Sequence, residues 1–393
     1  MKGYDRPIVL TFIGNYLPGY KAGGMLRSMV NAVENLSSDM EFWIVTMDRD
    51  LGDSNPYDDI KIDQWQRVGS AMVYYLSPQS STLKNIRHLI LRTKHNVLYL
   101  NSFFDPLTIK VLLIRKFRKS SFQPVIVAPR GVFASAALKL KYPKKLVFIL
   151  FAGFIGLYKN ITWHASSDFE EDDIIKIMKI RKEYIHNALD LPTKFIPDHT
   201  LILPMLSPSD NSGLRLVFIS RIARVKNLDY ALQILSRVKA KVFFDIYGPL
   251  EDMKYWSKCQ ELIKQLPSNI KVQYLGIVNP NQVVQIFSRY DLFLFPSCGE
   301  NYGHVIAESL TSGTPVLISD KTPWRNLKNY NLGLDISLDQ KDSFIEEIER
   351  FALMNNEVRL KMRVSIKSFI DKHLLDTEVL EANRQLFLKQ LNQ

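Results

Sequence analysis

Short apolar runs alternate with longer amphipathic stretches along most of this 393-residue chain. The short runs predict buried strands, and the amphipathic stretches, with apolar residues at helical spacing, predict helices. In the first half, the predicted strands are residues 8–13, 42–47, 71–76, 97–100, 124–128 and 161–165. In the second half, they are residues 214–220, 242–247, 270–275, 291–296 and 314–318. Regular alternation of strand and helix indicates an α/β fold with parallel sheets.

A break in this pattern divides the chain. Residues 189–213 are rich in proline and end in a Ser-Asp-Asn-Ser-Gly run, a composition typical of a linker. The sequence therefore predicts Rossmann-like, doubly wound domains at 1–190 and 214–375, joined by a linker at 191–213. A C-terminal helix at 376–393 is expected to pack back on the first domain. Because ligands bind beyond the carboxyl ends of parallel strands, we expect the two domains to face each other across a shared cleft.

The formal net charge of +11 is concentrated in one part of the sequence. Residues 84–159 carry many lysines and arginines, and their only acid is Asp105. Such a stretch attracts anionic partners, which include nucleic acids, anionic lipids and phosphorylated substrates. A nucleic-acid-binding protein is therefore an alternative, although the basic residues are not interleaved with aromatic residues as in known nucleic-acid modules.

The two cysteines, Cys259 and Cys298, fit no metal-binding or redox spacing. This favours a reducing, cytoplasmic setting. The first predicted strand begins at residue 8, so we expect no secretory leader.

Two glutamates stand eight residues apart after the predicted strand at 291–296. Glu300 lies in a turn between Gly299 and Gly303, and Glu308 is expected two turns into the helix that follows, about 12 Å along its axis. Carboxylates at that separation suit two different polar groups of one extended ligand, and the helix N-terminus between them offers N–H groups to oxygen-rich ligands. The alternative is a pair of ordinary surface carboxylates.

A cationic turn follows the predicted strand at 214–220 and precedes a helix. It contains Arg221, Arg224 and Lys226. Phosphates bind well to cations at the carboxyl end of a strand, and a guanidinium can hold two oxygens at once. Arg221 and Lys226 are the preferred pair, and a solvated basic loop is the alternative.

Glycines mark three further turns. Gly23 and Gly24 close a loop after the first strand and precede a helix, which would let backbone amides approach an anion. The spacing is not that of the dinucleotide-binding fingerprint. Gly248 and the segment 275–278 follow later strands, and each is also compatible with a plain strand-to-helix turn.

Together these motifs resemble the retaining glycosyltransferases of family 4, which have the GT-B fold. Glu300 and Glu308 match the E-x7-E motif of that family, and the resemblance implies that they bind the donor sugar and the ribose, respectively. Arg221 and Lys226 match the cations that hold the diphosphate. The residues implied to act in catalysis are Arg221, Lys226 and Glu300. The residues implied to bind the donor are Gly23, Gly24, Gly248, Ile277, Val278, Asn301, Tyr302, Gly303, His304, Val305 and Glu308.

The first domain, which the resemblance makes the acceptor domain, departs from the common family pattern at one position. Many relatives have a histidine after the fifth strand, where this sequence has Arg130. Arg130 and His164 are possible contacts to the acceptor or to the leaving group, and a hydrogen-bonded structural role is the alternative for His164. Asn187 and Asp190 resemble the interdomain N-x-x-D segment of the family.

The resemblance implies transfer of a hexosyl or N-acetylhexosaminyl group from a nucleoside-diphosphate sugar, UDP-sugar favoured, to a hydroxyl of a saccharide acceptor. Residues 128–131 and 164–167 are similar to a bacterial branch that builds surface polysaccharides, which suggests a role in O-antigen, capsule or exopolysaccharide synthesis. A lipid-linked acceptor, common in such synthesis, would explain the basic stretch. Another GT-B enzyme, a sugar-nucleotide epimerase or a phosphorylase, is the nearer alternative. We expect no cofactor. We also expect metal independence, because no Asp-x-Asp site stands where a metal would be needed. The Asp-x-Asp spacing at residues 48–50 follows an early strand and is interpreted as a surface loop.

An apolar run at residues 146–158 follows a cluster of lysines. It is too short to span a bilayer, which takes about 20 apolar residues. Two interpretations remain: a buried core helix, or a helix lying in the interface of an anionic membrane. The second would make a cytoplasmic enzyme peripheral on the inner face of the cytoplasmic membrane.

Overall fold

The computed structural model describes residues 6–117, 123–134, 137–138, 142–194, 213–373 and 377–391. They belong to two compact units, the first formed by Met1–Lys194 with Thr377–Gln393 and the second by Phe195–Asp376. The part of the predicted linker at residues 195–212 lies outside the described residues.

The first unit contains an eight-stranded sheet with the order β3-β4-β2-β1-β5-β6-β7-β8. All neighbours in it are parallel except β3 and β4, which pair antiparallel at the edge. The strands are β1 Ile8–Phe12, β2 Glu41–Met47, β3 Trp65–Val68, β4 Ala71–Leu76, β5 Val97–Asn101, β6 Val125–Ala128, β7 Thr162–Ala165 and β8 Ile185–Asn187.

Helices cover both faces of this sheet. They include α1 Gly24–Leu36, α2 Leu83–Arg92, α3 Pro106–Lys116, α4 Tyr142–Phe154 and α5 Asp168–Met178. Alternate residues of β1 enter two separate hydrophobic cores. Leu10 and Phe12 lie in one core, and Val9 lies in the other. A strand buried on both faces needs a nearly continuous apolar sequence, which is why the short apolar runs were readable as strands.

The second unit is built on a six-stranded parallel sheet with the order β11-β10-β9-β12-β13-β14. Its strands are β9 Leu214–Ile219, β10 Val242–Tyr247, β11 Ile270–Tyr274, β12 Leu292–Phe295, β13 Val316–Ser319 and β14 Gly333–Ile336. Its helices are α6 Leu228–Leu235, α7 Met253–Lys264, α8 Val283–Phe287, α9 His304–Thr311, α10 Lys341–Leu353 and α11 Asn356–His373. The buried apolar side chains of this unit form one extended hydrophobic core.

The last helix, α12 Thr377–Leu391, packs in the first unit. The rings of Phe42 and Phe387 meet edge to face with their centroids 5.7 Å apart. The side-chain amide of Asn383 donates to the carbonyl of Leu189 at 2.7 Å.

The predicted α/β fold with parallel sheets is confirmed. The strands β3, β8 and β14 were not predicted from the sequence. Each is only three or four residues long and is not fully apolar, so neither length nor periodicity separates it from a loop.

The apolar helix α4 is buried on one face only. Ala152 is buried in the core on one face, whereas Val147, Leu150, Phe151 and Phe154 are exposed on the other, Phe154 by 91%. A purely buried core helix is therefore wrong. In the described part of the chain, no helix is long and apolar enough to cross a membrane.

The N-cap of α3 generates a prediction about pH and stability. The Asp105 carboxylate accepts a hydrogen bond from the N–H of Leu107 at 2.8 Å, yet burial raises the pKa of this group to about 6. An unfolded aspartate has a pKa of about 3.9, so between about pH 4 and pH 6 only the folded chain holds this proton. The contribution of Asp105 to stability therefore falls as the pH rises through that window.

Asp105→Asn keeps a capping oxygen without the charge. We expect the difference in melting temperature, variant minus wild type, to be more positive at about pH 7.5 than at about pH 4. Thermal unfolding at both pH values measures this, with the exposed Asp58→Asn as the control. An Asp105→Asn difference that is the same at both pH values would contradict the prediction.

Candidate functional site

Two loops of the second unit meet at one edge of its sheet. β9 and β12 are neighbours, with Leu216 opposite Leu292, so the loops that follow them emerge side by side. The N–H of Cys298 donates to the carbonyl of Val225 at 2.7 Å, and the side-chain amide of Asn227 donates to the carbonyl of Pro296 at 2.9 Å. The cationic turn and the glutamate segment, far apart in sequence, are thus joined by hydrogen bonds to backbone carbonyls.

At this junction Lys226 and Glu300 form an ion pair. The lysine Nζ lies 2.7 Å from Oε1 and 2.9 Å from Oε2 of the glutamate, and the side chains are only 13% and 9% exposed. The hydroxyl of Ser297, fully buried, donates to Oε1 of Glu300 at 2.7 Å. The carboxylate is therefore held in one orientation by two donors.

Ser297 was missed by reasoning from the sequence. The only signal was a small hydroxyl residue directly after a strand, and serine is common in such turns.

Arg221 and Arg224 belong to the same turn but have other partners. Arg221 pairs with Glu251, and Nε of Arg224 lies 3.2 Å from a carboxylate oxygen of Asp252. Glu251 and Asp252 belong to the loop after β10. An isolated β-bridge between Ile222 and Leu250 joins this loop to the cationic turn. The Arg221 pair is partly exposed, so an anionic ligand could exchange with its carboxylate partner.

The helix α9 begins at the glutamate segment. Its N-cap is Gly303, which has a φ of 82° and no side-chain capping bond. Because α9 begins only at His304, Glu308 lies about 6 Å along the axis, a little over one turn. The estimate of two full helical turns between the glutamates is wrong, since Glu300 itself lies in the preceding turn.

The other predicted donor residues of this unit lie at the same sheet edge. Gly248 follows β10 with a φ of 134°, and a Cβ there would lie 1.8 Å from the carbonyl of Ser220. Glycine is thus required because two strand ends pass in close contact. The N–H of Gly248 donates to the carbonyl of Gly276 at 2.8 Å, and beside it Ile277 is half exposed and Val278 partly buried.

In the first unit, Gly23 is the N-cap of α1, with a φ of 67°, and nothing lies within 4 Å of a Cβ built on Gly24. The loop before them is held by a buried carboxylate: Asp50 accepts from the N–H groups of Tyr20 at 2.8 Å and Lys21 at 3.1 Å. Asp48 and Asp50 are 1% and 5% exposed, so their interpretation as a surface loop is wrong.

Arg130 and His164 lie in a buried network of the first unit. Arg130 pairs with Asp190 at 2.7 Å and donates to the hydroxyl of Tyr99 at 2.8 Å. That hydroxyl lies 2.7 Å from Nδ1 of His164, whose Nε2 lies 2.9 Å from the carbonyl of Ala188. Burial, assisted by the charge of Arg130, lowers the pKa of His164 to about 3, so the ring is neutral near pH 7.

A contact of Arg130 or His164 with acceptor or leaving group therefore requires this network to open. The Asn187 and Asp190 pair of the predicted interdomain segment is engaged locally as well, with the side-chain amide of Asn187 donating to Asp168 at 2.7 Å. Among the residues that the structure describes, no group of three or more His, Cys, Asp or Glu side chains is arranged to hold a metal ion.

Comparison with known proteins finds a family match in the second unit. Residues 207–368 match the family model described as glycosyl transferases group 1. The matched residues all belong to the second unit. An uncharacterized glycosyltransferase of Methanocaldococcus jannaschii is 30% identical over 108 residues, which is 26% of each chain. The chain spans about a quarter of the length of the curated relatives it matches.

Solved structures with similar folds cover almost the whole chain. HepE of Anabaena, in complex with UDP and glucose, has a TM-score of 0.69 at 13% identity, covering 99% of this chain and 100% of its own. WaaG, a glycosyltransferase involved in lipopolysaccharide biosynthesis, has a TM-score of 0.67 at 13% identity, with 96% and 98% coverage. The predicted GT-B fold is confirmed, and the domain match supports the prediction of a glycosyltransferase enzyme.

The Lys226–Glu300 pair generates a prediction that needs no substrate. In a double-mutant cycle of Lys226→Met and Glu300→Gln, we expect a coupling energy of about 1–2 kcal/mol, because both charges are largely removed from water. Denaturant unfolding of the four proteins measures it.

The matched control is the exposed pair of Lys361 and Glu357, with side chains 75% and 73% exposed. Its coupling should be no more than about 0.5 kcal/mol. Equal coupling energies for the two pairs would contradict a special role of burial.

Proposed function

We propose that this protein is a retaining glycosyltransferase of family 4 that moves a sugar from a nucleoside-diphosphate sugar to a hydroxyl of a saccharide acceptor. The observation that carries the proposal is the convergence of Lys226 and Glu300, with Arg221 in the same turn, at the strand edge of a glycosyl transferases group 1 domain. This domain favours transfer over an epimerase, a phosphorylase or a nucleic-acid-binding protein.

The cations act on the leaving group. As the bond between the anomeric carbon and the β-phosphate breaks, negative charge grows on the phosphate oxygens. Arg221 and Lys226 stabilise that charge, an effect that is usually the largest single contribution to catalysis. Lys226 is already fixed by Glu300, whose carboxylate is held by the hydroxyl of Ser297, so little reorganisation is needed when the charge develops.

The carboxylates bind the two ends of the donor. Glu300 accepts hydrogen bonds from hydroxyls of the sugar, and Glu308, further along α9, accepts from the ribose. Amides around the α9 N-terminus, from Asn301 to Val305, add donors for hydroxyl and phosphate oxygens. No carboxylate is assigned as a nucleophile. The acceptor oxygen attacks the face from which the phosphate leaves, and that phosphate takes the acceptor's proton.

We propose a UDP-sugar as donor, since HepE, with the same fold, binds UDP and glucose. A thermal-shift screen against UDP, GDP, ADP and dTDP tests this, because only a nucleotide that binds the folded state stabilises it. Stabilisation by UDP alone supports the choice, and stabilisation by another nucleotide alone replaces it.

Substitutions at the site should lower the rate of transfer strongly without unfolding the protein. We expect Arg221→Ala and Glu300→Gln each to lower kcat/KM for sugar transfer by about a hundredfold, because each removes a group that acts on the donor in the transition state.

Lys264→Ala, in the same unit but at an exposed ion pair, should retain nearly full activity. Activity of the Arg221 and Glu300 variants within a few-fold of wild type would remove these residues from the mechanism.

We further propose a lipid-linked acceptor at an anionic membrane surface, as in the synthesis of a bacterial surface polysaccharide. Exposed apolar residues of α4 recur at helical spacing, and Lys144 lies exposed at its start. Arg115 and Lys116 end the neighbouring basic helix α3, and Phe117 after them is also exposed. Apolar side chains can enter the headgroup region while the cations meet anionic lipids. The involvement of WaaG in lipopolysaccharide biosynthesis supports this proposal.

The α4 surface can be tested by flotation with liposomes that contain phosphatidylglycerol. We expect wild type to float at low salt, and a Phe151→Ser, Phe154→Ser double variant to lose most of its binding, because the exposed apolar area is removed. Leu353→Ser in the second unit, where the side chain is 87% exposed, is the control and should bind like wild type. Wild type that does not bind at low salt would defeat the membrane proposal.

A further inference from the structure

A tryptophan outside the predicted site holds the chain at the start of α9. Trp324 follows β13 in sequence, and its indole N–H donates to the carbonyl oxygen of Tyr302 at 2.7 Å. Tyr302 is the residue directly before Gly303, the N-cap of α9. The indole therefore binds the last peptide group before the helix.

This hydrogen bond fixes more than one atom. In a trans peptide the C=O of Tyr302 and the N–H of Gly303 lie in one plane and point in opposite directions. A carbonyl tied to Trp324 consequently aims the Gly303 N–H away from the indole. Gly303 has a φ of 82°, and glycine populates many other backbone conformations, so the local sequence alone does not set this direction.

Packing supports the same arrangement. The rings of Trp324 and Tyr302 meet edge to face with centroids 5.9 Å apart, and a Cβ on Gly303 would lie 3.5 Å from Cδ1 of Trp324. The indole thus covers the turn as well as binding it.

The same segment of chain supports the glutamate turn at two earlier points. The hydroxyl of Ser319 donates to the carbonyl of Ser297, and the carbonyl of Lys321 accepts from the N–H of Glu300 at 3.3 Å. We call residues 319–324 the supporting segment. The supporting segment holds the glutamate turn from one side. Trp324 is the residue of this segment that contacts the turn nearest to the start of α9.

We propose that Trp324 is a positioning residue for nucleotide-sugar binding. Acting through the Tyr302 carbonyl, it fixes the Gly303 amide and the first turn of α9 in the orientation that receives phosphate and sugar oxygens. It does not touch the ligand. This inference rests on the proposed function, because it assigns a role toward the same donor.

The test compares two tryptophan substitutions in the second unit. Trp324→Phe keeps an aromatic ring but removes the N–H donor. Trp256→Phe is the matched control, since Trp256 is a buried tryptophan on α7 that packs on Tyr274, with ring centroids 4.9 Å apart. The dissociation constant of UDP, or of the nucleoside diphosphate that wild type binds, is measured by calorimetry well below both melting temperatures.

We expect Trp324→Phe to weaken nucleotide binding about five- to tenfold, because the Gly303 amide is no longer held in place and one hydrogen bond to the nucleotide is lost. We expect Trp256→Phe to change the affinity less than about twofold. A purely structural role would lower the melting temperature of either variant without this difference in affinity. Trp324→Phe that binds like wild type, or equal losses in both variants, would overturn the inference.

If Trp324→Phe does not fold, the wild-type chain supplies the result. Its five tryptophans give separate indole ¹⁵N–H signals, and Phe substitution of the other four assigns that of Trp324 by elimination. A shift of this signal on nucleotide binding supports the inference, and an unchanged signal overturns it. Wild type that binds none of UDP, GDP, ADP and dTDP overturns the proposed function itself, a result distinct from an unaffected Trp324 variant.

Discussion

The buried ion pair between Lys226 and Glu300 is the contact on which the candidate site of the second unit depends. Removing two charges from water is costly, and replacing such a pair by apolar residues is often neutral or stabilising. Here the cost is offset by short contacts of the lysine to both carboxylate oxygens and by the hydroxyl of Ser297. Because stability alone does not require charged groups at this position, the pair is best explained by chemistry that needs a fixed cation beside a fixed carboxylate.

The sequence could predict those features of this sheet edge that depend only on neighbouring residues in the chain. Apolar runs located β9 and β12, and the residues after them had the chemistry of a phosphate and sugar site. Their adjacency came from strand order: Lys226 and Glu300 are 74 positions apart, and only the pairing of β9 with β12 joins them. Nor could sequence tell which cation meets the glutamate, because Arg221, Arg224 and Lys226 stand in one short turn with identical charge.

Burial of polar residues was the other limit. Carboxylates are usually exposed, so Asp48 and Asp50 were interpreted as a surface loop. Asp50 is buried because the N–H groups of Tyr20 and Lys21 turn toward it, and such backbone donors leave no trace in side-chain patterns. Arg130 shows the same limit. Its assignment to a ligand stays a prediction, and the sequence could not show that its partners Asp190 and Tyr99 come from distant parts of the chain.

The two cations assigned to the diphosphate are prepared differently, and this suggests a division of labour. Lys226 is held by a nearly buried carboxylate, so its position hardly depends on the ligand. Arg221 is paired with Glu251, whose side chain is 42% exposed, and such pairs contribute little stability. A diphosphate can therefore replace Glu251 at small cost and gain a guanidinium able to hold two oxygens. In the proposed mechanism, recognition of the arriving donor then falls to Arg221, whereas Lys226 supplies a fixed charge for the bond-breaking step.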